Sequence, residues 1–212
     1  MNSSTIKLIR VLNKISYICI NLKRYTKLKK QLKDISDLQF GFYEKPKEEG
    51  ELLYLQAKSF NSYGLFDGGV DGWIDVAEKS KNHILEDGDI LFVGKGMRNF
   101  AWKYSAEIGK AIASSIFYVI KPKRELVDSD YLVTIFNSIK YQSFFQALGA
   151  GSSIPSIRKN ELEAVEIPLQ SMEVQRKIAR ISALHQRELI LTEKLIEEKN
   201  KLFQAVINDI LK

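Results

Sequence analysis

The feature that most constrains this chain is the stretch after Pro168, which runs to the last residue without glycine or proline. Ser171 can cap the start of a helix there, with Glu173 in the first turn. A helix of roughly forty residues at about 1.5 Å per residue is a rod of about 60 Å. A body of about 140 residues has a radius of gyration of only roughly 14 Å. The sequence therefore predicts a helix over residues 169–212 that extends past its own domain.

The apolar residues of this helix indicate that it pairs with another helix. They recur with a heptad spacing that Glu188 and Glu198 interrupt. The residues predicted to pair are Ile178, Ile181, Leu184, Leu191, Leu195, Leu202 and Val206. An apolar stripe of this length favours a coiled coil. The alternative is that the stripe packs against the chain's own domain.

Residues 31–168 are predicted to form a β-rich domain with packed helices, so the expected fold class is α+β. Glycine and proline separate short apolar runs in this part of the chain. Strands are predicted over residues 52–57, 72–76, 89–93 and 111–120. One amphipathic helix is predicted from a cap at Asp128 or Ser129 to Leu148, where glycines end it.

Charge is distributed unevenly along the chain. Residues 1–30 hold eight Lys or Arg and no acidic residue, and we predict that this basic arm is mostly helical because it lacks glycine and proline. Its β-branched residues would also suit a strand. Residues 31–171 hold sixteen basic and twenty acidic residues. The net charge of +6 is compatible with a nucleic-acid partner, but the domain would have to bind it through local basic clusters.

The sequence lacks the patterns of a catalytic or metal site. One cysteine and two histidines are too few for a disulfide framework or a structural zinc site. Gly94-Lys95-Gly96 resembles the start of a phosphate-binding loop, but the fingerprint is incomplete and a β-turn is the simpler interpretation. We therefore predict no catalytic residue, no metal and no cofactor. No apolar run approaches the roughly 18 residues of a membrane span, so we expect a cytoplasmic protein without membrane contact.

The order of several motifs resembles the specificity subunits of type I restriction-modification systems. These motifs are Leu32-x-Asp34-Ile35-Ser36-Asp37, Leu53-Tyr54-Leu55, Gly88-Asp89-Ile90-Leu91, Ala150-Gly151-Ser152-Ser153-Ile154-Pro155, Val165-Glu166-Ile167-Pro168-Leu169 and Glu173-x-Gln175-Arg176-Lys177-Ile178-Ala179. The resemblance covers about residues 32–212. Members of this family usually carry two target recognition domains, each followed by a long helix. This chain has one of each, so it resembles a half-length specificity subunit.

The resemblance implies a non-catalytic subunit that recognises a bipartite site in double-stranded DNA. Such a subunit directs a separate methyltransferase subunit and a restriction subunit to that site. Its long helix is expected to pair as an antiparallel coiled coil, either with a second copy of the chain or with another half-subunit. The alternative is a stand-alone coiled-coil interaction or regulatory DNA-binding protein without restriction-modification partners.

Side chains on the loops of the domain are the candidates for DNA contact, because recognition needs groups that reach phosphates and base edges. The candidates are Tyr43, Lys45, Lys47, Lys95, Arg98, Asn99, Trp102, Lys103, Ser152, Ser153, Arg158 and Lys159. Arg98 is the strongest, because a guanidinium beside Asn99 on a glycine-started loop can bind guanine through two hydrogen bonds. The alternative for each candidate is a solvated surface position or, for Trp102, a core position.

Overall fold

The fold is taken from a computed structural model of the chain. The residues that it describes are 28–61, 64–66, 68, 72–149 and 155–211. Most of the predicted basic arm lies outside these ranges, and so do the candidate residues Ser152 and Ser153. Strands and helices are both present in the described part, and the predicted α+β class is confirmed.

The described residues form nine strands and five α-helices. The strands are β1 Leu28–Gln31, β2 Ser36–Phe40, β3 Leu52–Leu55, β4 Trp73–Ile74, β5 Ile90–Val93, β6 Ala101–Lys103, β7 Ala111–Ala113, β8 Phe117–Pro122 and β9 Glu166–Leu169. The helices are α1 Leu32–Ile35, α2 Ser129–Phe136, α3 Ile139–Gly149, α4 Lys159–Glu163 and α5 Met172–Ile210. We call residues 28–169 the body.

A four-stranded antiparallel sheet lies at the centre of the body, with strand order β2-β8-β5-β6. Its register decides which loops are neighbours. Phe40 at the end of β2 pairs with Tyr118, and Val93 at the end of β5 pairs with Phe117. The ends of β2 and β5 and the start of β8 therefore lie at the same end of the sheet, which we call the loop end.

Two smaller sheets complete the body. One has the order β4-β3-β7, in which β3 runs antiparallel to β4 and parallel to β7. The other is the antiparallel pair of β1 and β9, in which Leu28 lies opposite Leu169. This pairing explains why residues 28–30, assigned to a mostly helical arm from the sequence, are extended: their backbone groups bond to β9.

The central sheet is covered by apolar side chains on both faces. On one face Ile90 and Phe92 pack with the helices, and the ring centroids of Phe92 and Phe145 are 4.7 Å apart. On the other face Leu91 and Val93 pack in a second cluster that contains several aromatic rings. Neighbouring residues of β5 thus point to opposite faces, as the pleat of a strand requires.

The strands predicted over 52–57, 72–76 and 89–93 are confirmed as β3, β4 and β5, each shorter than predicted. Two other predictions were wrong. The strand predicted over 111–120 is two strands, separated by a turn in which the Phe117 N–H donates to the Ser114 carbonyl. The single helix predicted up to Leu148 divides into α2 and α3 at Asn137, whose side-chain amide bonds to both backbone groups of Ala101.

The long helix α5 begins directly after Ser171, as predicted, and its 39 residues span about 58 Å. Gln175 and Ala179 in its first turns are buried against the body. Every side chain from residue 191 to 206 is exposed. The helix therefore lies beside the body for about five turns and then extends away from it. No helix in the described part of the chain is both long and apolar enough to cross a membrane.

Candidate nucleic-acid interface

The loop between β5 and β6 is a closed hairpin at the loop end of the sheet. The Val93 N–H donates to the Phe100 carbonyl over 3.0 Å, which closes the loop. Inside it, the buried Asn99 donates its side-chain N–H to the Val93 carbonyl over 2.8 Å. Gly96 has a φ of +108°, a backbone conformation that side chains other than glycine's rarely adopt. The shape of this hairpin is thus set by its own backbone and by Asn99.

A second loop is joined to the hairpin by backbone pairing. The Gly96 N–H donates to the Pro155 carbonyl over 2.8 Å, and the Ile157 N–H donates to the Gly94 carbonyl over 2.9 Å. Between these bonds Lys95 lies opposite Ser156. Residues about sixty positions apart therefore form one continuous surface.

Tyr118 of β8 connects the second loop to the central sheet. Its hydroxyl donates to the Ile157 carbonyl over 2.8 Å, and its ring is 5.1 Å from the ring of Phe40. Burial raises the pKa of the Tyr118 phenol, so the hydroxyl stays protonated and able to donate. A Cβ at Gly94 would collide with the Tyr118 ring, which explains the glycine at that position.

Four of the predicted DNA contacts come together on this surface, which we call the basic edge. They are Lys95, Arg98, Arg158 and Lys159. The Arg98 guanidinium lies 4.9 Å from the centroid of the Phe100 ring, a cation–π contact that restricts its direction. Lys159 is 3.5 Å from Glu163, and the Glu161 carboxylate accepts from the Arg158 backbone N–H over 2.7 Å. The Lys95 ammonium and the Arg158 guanidinium form no ion pair with another described residue. The basic edge therefore combines four cations with two carboxylates.

Tyr43 and the two lysines after it lie outside this junction. Tyr43 is strongly exposed and follows Phe42, which pairs with Ser114 beside the loop end. Lys45 is also exposed. Lys47 pairs with the backbone of Trp73 at the edge of the three-stranded sheet, and its ammonium bonds to a carboxylate there. That hydrogen bond, to Asp75, raises the pKa of Lys47.

Three other candidates for DNA contact make contacts within the body instead. Asn99 is buried and ties the hairpin, as described above. Trp102 is half-buried among aromatic rings, with its ring 5.2 Å from that of Phe60. Lys103 lies opposite Ile90 at the other end of the central sheet, where its ammonium is 2.7 Å from Asp130. The structure does not bring Trp102 or Lys103 together with the basic edge.

The predicted pairing residues of α5 form an exposed stripe, with one exception. Ile178 packs against the core of the body. The other six are Ile181, Leu184, Leu191, Leu195, Leu202 and Val206, and all are exposed. We call these six residues the seam.

A second apolar stripe on α5 was missed in the sequence. It consists of Leu189, Ile196, Phe203 and Ile210, all exposed and spaced by seven residues. We call these four residues the second face. Because successive residues differ by about 100° around a helix, Ile196 and Phe203 are rotated by about that angle from Leu195 and Leu202 of the seam. The seven-residue spacing was the signal that could have revealed it.

A metal site would need several acidic or other metal-ligating side chains close together. Within the described residues, no group of three or more His, Cys, Asp or Glu side chains is arranged to hold a metal ion. The buried carboxylate of Asp89 is occupied by Lys121, 2.9 Å away, and by the Glu86 N–H. The features with the clearest capacity to bind something are thus the basic edge and the two stripes of α5.

Comparison with known proteins identifies the family. Residues 25–200 match the family described as type I restriction modification DNA specificity domain. The type I restriction enzyme MjaVIII specificity subunit of Methanocaldococcus jannaschii is 31% identical over 166 residues, a match that covers 76% of this chain and 35% of that protein. The predicted resemblance is therefore confirmed.

Two solved structures share the fold. The S subunit of a type I restriction-modification system from M. genitalium has a TM-score of 0.56 at 19% identity, covering 82% of this chain and 42% of that one. The HsdS subunit from Thermoanaerobacter tengcongensis has a TM-score of 0.54 at 16% identity, covering 79% and 39%. This chain spans less than half the length of each of these relatives. Because the family match extends over most of its residues, the chain belongs to the type I restriction modification DNA specificity domain family.

Proposed function

We propose that this chain reads one half of a bipartite site in double-stranded DNA through the basic edge, and directs separate methyltransferase and restriction subunits to that site without catalysing a reaction itself. The observation that carries the proposal is the backbone pairing of residues 94–96 with residues 155–157. This pairing gathers four cations from two distant loops at one end of a rigid sheet. Cations held at such positions can contact phosphates and keep the protein in one register on DNA.

The four cations have different proposed roles. The Lys95 ammonium and the Arg158 guanidinium form no ion pair with another described residue, so each is available to neutralise a phosphate. Arg98 is held against Phe100, which reduces the entropy lost when its guanidinium binds a base edge. We therefore assign guanine recognition to Arg98 and backbone positioning to Lys95 and Arg158. Tyr43 lies beside the loop end and is proposed as a further contact.

Alanine variants measured on two duplexes test these roles. We expect Lys95→Ala and Arg158→Ala to weaken binding to a selected duplex and a random duplex alike, and to flatten the salt slope by about one unit each. We expect Arg98→Ala to lower discrimination between the duplexes by about 1 to 3 kcal/mol.

Lys103→Ala is the matched control, because it removes the same charge at the opposite end of the sheet. It should leave both affinities and the salt slope unchanged. If Lys103→Ala weakens binding as much as Lys95→Ala does, the basic edge is not the DNA-binding surface.

We further propose that the seam pairs antiparallel with the same helix of a second copy, and that the second face binds the methyltransferase subunit. Ile196 and Phe203 are rotated by about 100° from Leu195 and Leu202, so a partner helix centred on the seam leaves these residues of the second face uncovered. Most of their residues lie where α5 has left the body, and the body cannot cover them. An assembly with two kinds of neighbour around each helix accounts for both stripes.

Two double variants separate the partners. Leu195→Lys with Leu202→Lys changes the seam, and Ile196→Lys with Phe203→Lys changes the second face. Both pairs are seven residues apart, so each variant is the control for the other. Light scattering of the chain alone, and with the methyltransferase subunit, should show that the first variant loses self-pairing by several kcal/mol and the second loses only the methyltransferase. Identical behaviour of the two variants would contradict the assignment.

Self-pairing has a consequence for the DNA site. A two-fold axis relates the two bodies of such a dimer, so both read the same half-site in opposite orientations. We expect a split palindrome with several unread base pairs in the middle. Mapping methylated bases in cells that contain only this chain and its methyltransferase subunit tests this expectation. A non-palindromic site would indicate that a different specificity subunit supplies the second helix.

A further inference from the structure

The tip of the hairpin carries an apolar side chain among cations. Met97 is 84% exposed, the second-highest value among the exposed large apolar residues in the described part of the body. It lies between Lys95 and Arg98, two members of the basic edge. Isolated apolar residues are common on protein surfaces, so exposure alone does not indicate a binding role. The position of Met97 does indicate one, because a nucleic acid bound by Lys95 and Arg98 would come close to its side chain.

Contacts on both sides of Met97 hold the backbone of the hairpin tip in place. On one side the Gly96 N–H is bonded to the Pro155 carbonyl. On the other side Arg98 packs on Phe100 and Asn99 is tied to the Val93 carbonyl. The side chain itself is unbranched and polarisable, so it can adapt to an apolar surface of irregular shape. A firmly held backbone with an adaptable apolar tip suits contact with a small apolar group.

We propose that Met97 contacts the C5-methyl group of a thymine in the major groove and makes thymine the preferred base at one position of the half-site. This inference rests on the proposed DNA-reading function of the basic edge. The thymine methyl is the apolar group that base edges present in the major groove, where guanine offers its acceptors to arginine. Because Met97 and Arg98 are adjacent, the thymine lies within one or two base pairs of the guanine that Arg98 binds.

The test begins with selection of binding duplexes from a randomised pool by the full chain, by Met97→Gln and by Met97→Leu. Gln has a similar length but is polar, whereas Leu keeps an apolar tip. The wild type should enrich a motif with thymine at one position. Met97→Gln should lose the preference at that position and keep the others, and Met97→Leu should retain all of them.

The second step replaces that thymine by deoxyuridine, which removes only the methyl group. Wild-type affinity should fall about fourfold, the effect of one buried methyl-sized group, while the affinity of Met97→Gln should not change. An unchanged motif in Met97→Gln, or equal wild-type affinity for the two duplexes, would overturn the assignment of Met97 and leave the DNA-reading function intact. If the wild type enriches no motif, the DNA-reading function fails and the assignment fails with it.

Discussion

The body and the outer part of α5 use apolar residues in opposite ways. In the body, Phe92 is fully buried between the central sheet and the helices. In the outer part of α5, Leu195 and Phe203 are 55% and 60% exposed. The body buries its apolar side chains against one another, whereas the outer part of α5 exposes its apolar side chains to solvent. Apolar residues therefore fold one region of this chain and are available for association in the other.

The same substitution in both regions tests this comparison most strongly. Phe92→Ala removes a ring that contacts Phe136 and Phe145, and should reduce the free energy of unfolding by about 3 to 5 kcal/mol. Phe203→Ala should change it by less than about 0.5 kcal/mol in dilute protein. Urea denaturation followed by circular dichroism measures both. A loss above about 2 kcal/mol for Phe203→Ala would mean that the isolated chain already buries this residue.

Ion pairs should also contribute more to stability in the body than on α5. Lys121 in the body bonds to the buried Asp89, whereas Lys201 on α5 forms exposed pairs with Glu197 and Glu198. Lys121→Ala leaves Asp89 buried without its cation and should cost about 2 to 3 kcal/mol of stability at neutral pH. Lys201→Ala should leave the unfolding midpoint unchanged, because exposed pairs contribute little.

The loss caused by Lys121→Ala should depend on pH. Burial raises the pKa of Asp89, and this effect exceeds the lowering by the Glu86 N–H and by Lys121. A carboxyl whose pKa is raised by folding favours the protonated state, so its contribution to stability falls as the pH rises above the ordinary carboxyl pKa. Removal of Lys121 raises that pKa further. Denaturation should therefore reveal a larger loss at pH 7 than at pH 4, and an equal loss at both would show that Asp89 is not responsible.

The junction between the two regions depends on Gln175. Its side-chain carbonyl accepts from the Asp128 N–H, and its amide donates to the carbonyls of Leu126 and Gln170. Gln175→Ala leaves these partly buried backbone groups without their side-chain partner and should cost about 2 kcal/mol. Gln204→Ala makes the same change at an exposed position of α5 and should have no effect. Hydrogen exchange should locate the loss at the start of α5, and loss spread evenly over the body would contradict this role.

The smallest expected effect concerns the hairpin. Asn99→Ala removes the bond to the Val93 carbonyl and should cost about 1 kcal/mol, whereas Asn208→Ala on the exposed surface of α5 should cost nothing measurable. Because Asn99 holds the hairpin in shape, its variant should also discriminate less between DNA sequences. Duplex binding well below the unfolding midpoint checks this, and unchanged discrimination would limit Asn99 to a role in stability.

Elements with a local signal could be predicted from the sequence. The start of α5 follows from Ser171 and the absence of glycine and proline after it. The buried strand β5 follows from its apolar run after a glycine turn. The break between α2 and α3 could not be predicted, because it depends on bonds from Asn137 to Ala101, 36 residues away. A local sequence pattern does not predict contacts between residues that lie so far apart in the chain.

The candidate site was predictable in type but not in arrangement. The candidates are basic and polar loop residues, and their role in DNA contact stays a prediction. The pairing of Lys95 with Ser156 joins loops far apart in the chain, so no sequence spacing reveals it. Lys103 looks equally suitable in the sequence, yet its ammonium is bonded to Asp130 at the far end of the sheet. Tertiary structure decides which of several similar cations share a surface.

The side-by-side position of β1 and β9 places the two ends of the body next to each other. Leu28 lies opposite Leu169 and Gln31 opposite Glu166, so the polypeptide enters and leaves the body at one place. A replacement of the segment between these two strands would exchange the loop end and the basic edge together. The start of α5 is bonded to residues of that same segment, because Gln175 bonds to the backbone of Leu126 and Asp128. Such a replacement would therefore keep the direction of α5 only if it kept these bonds.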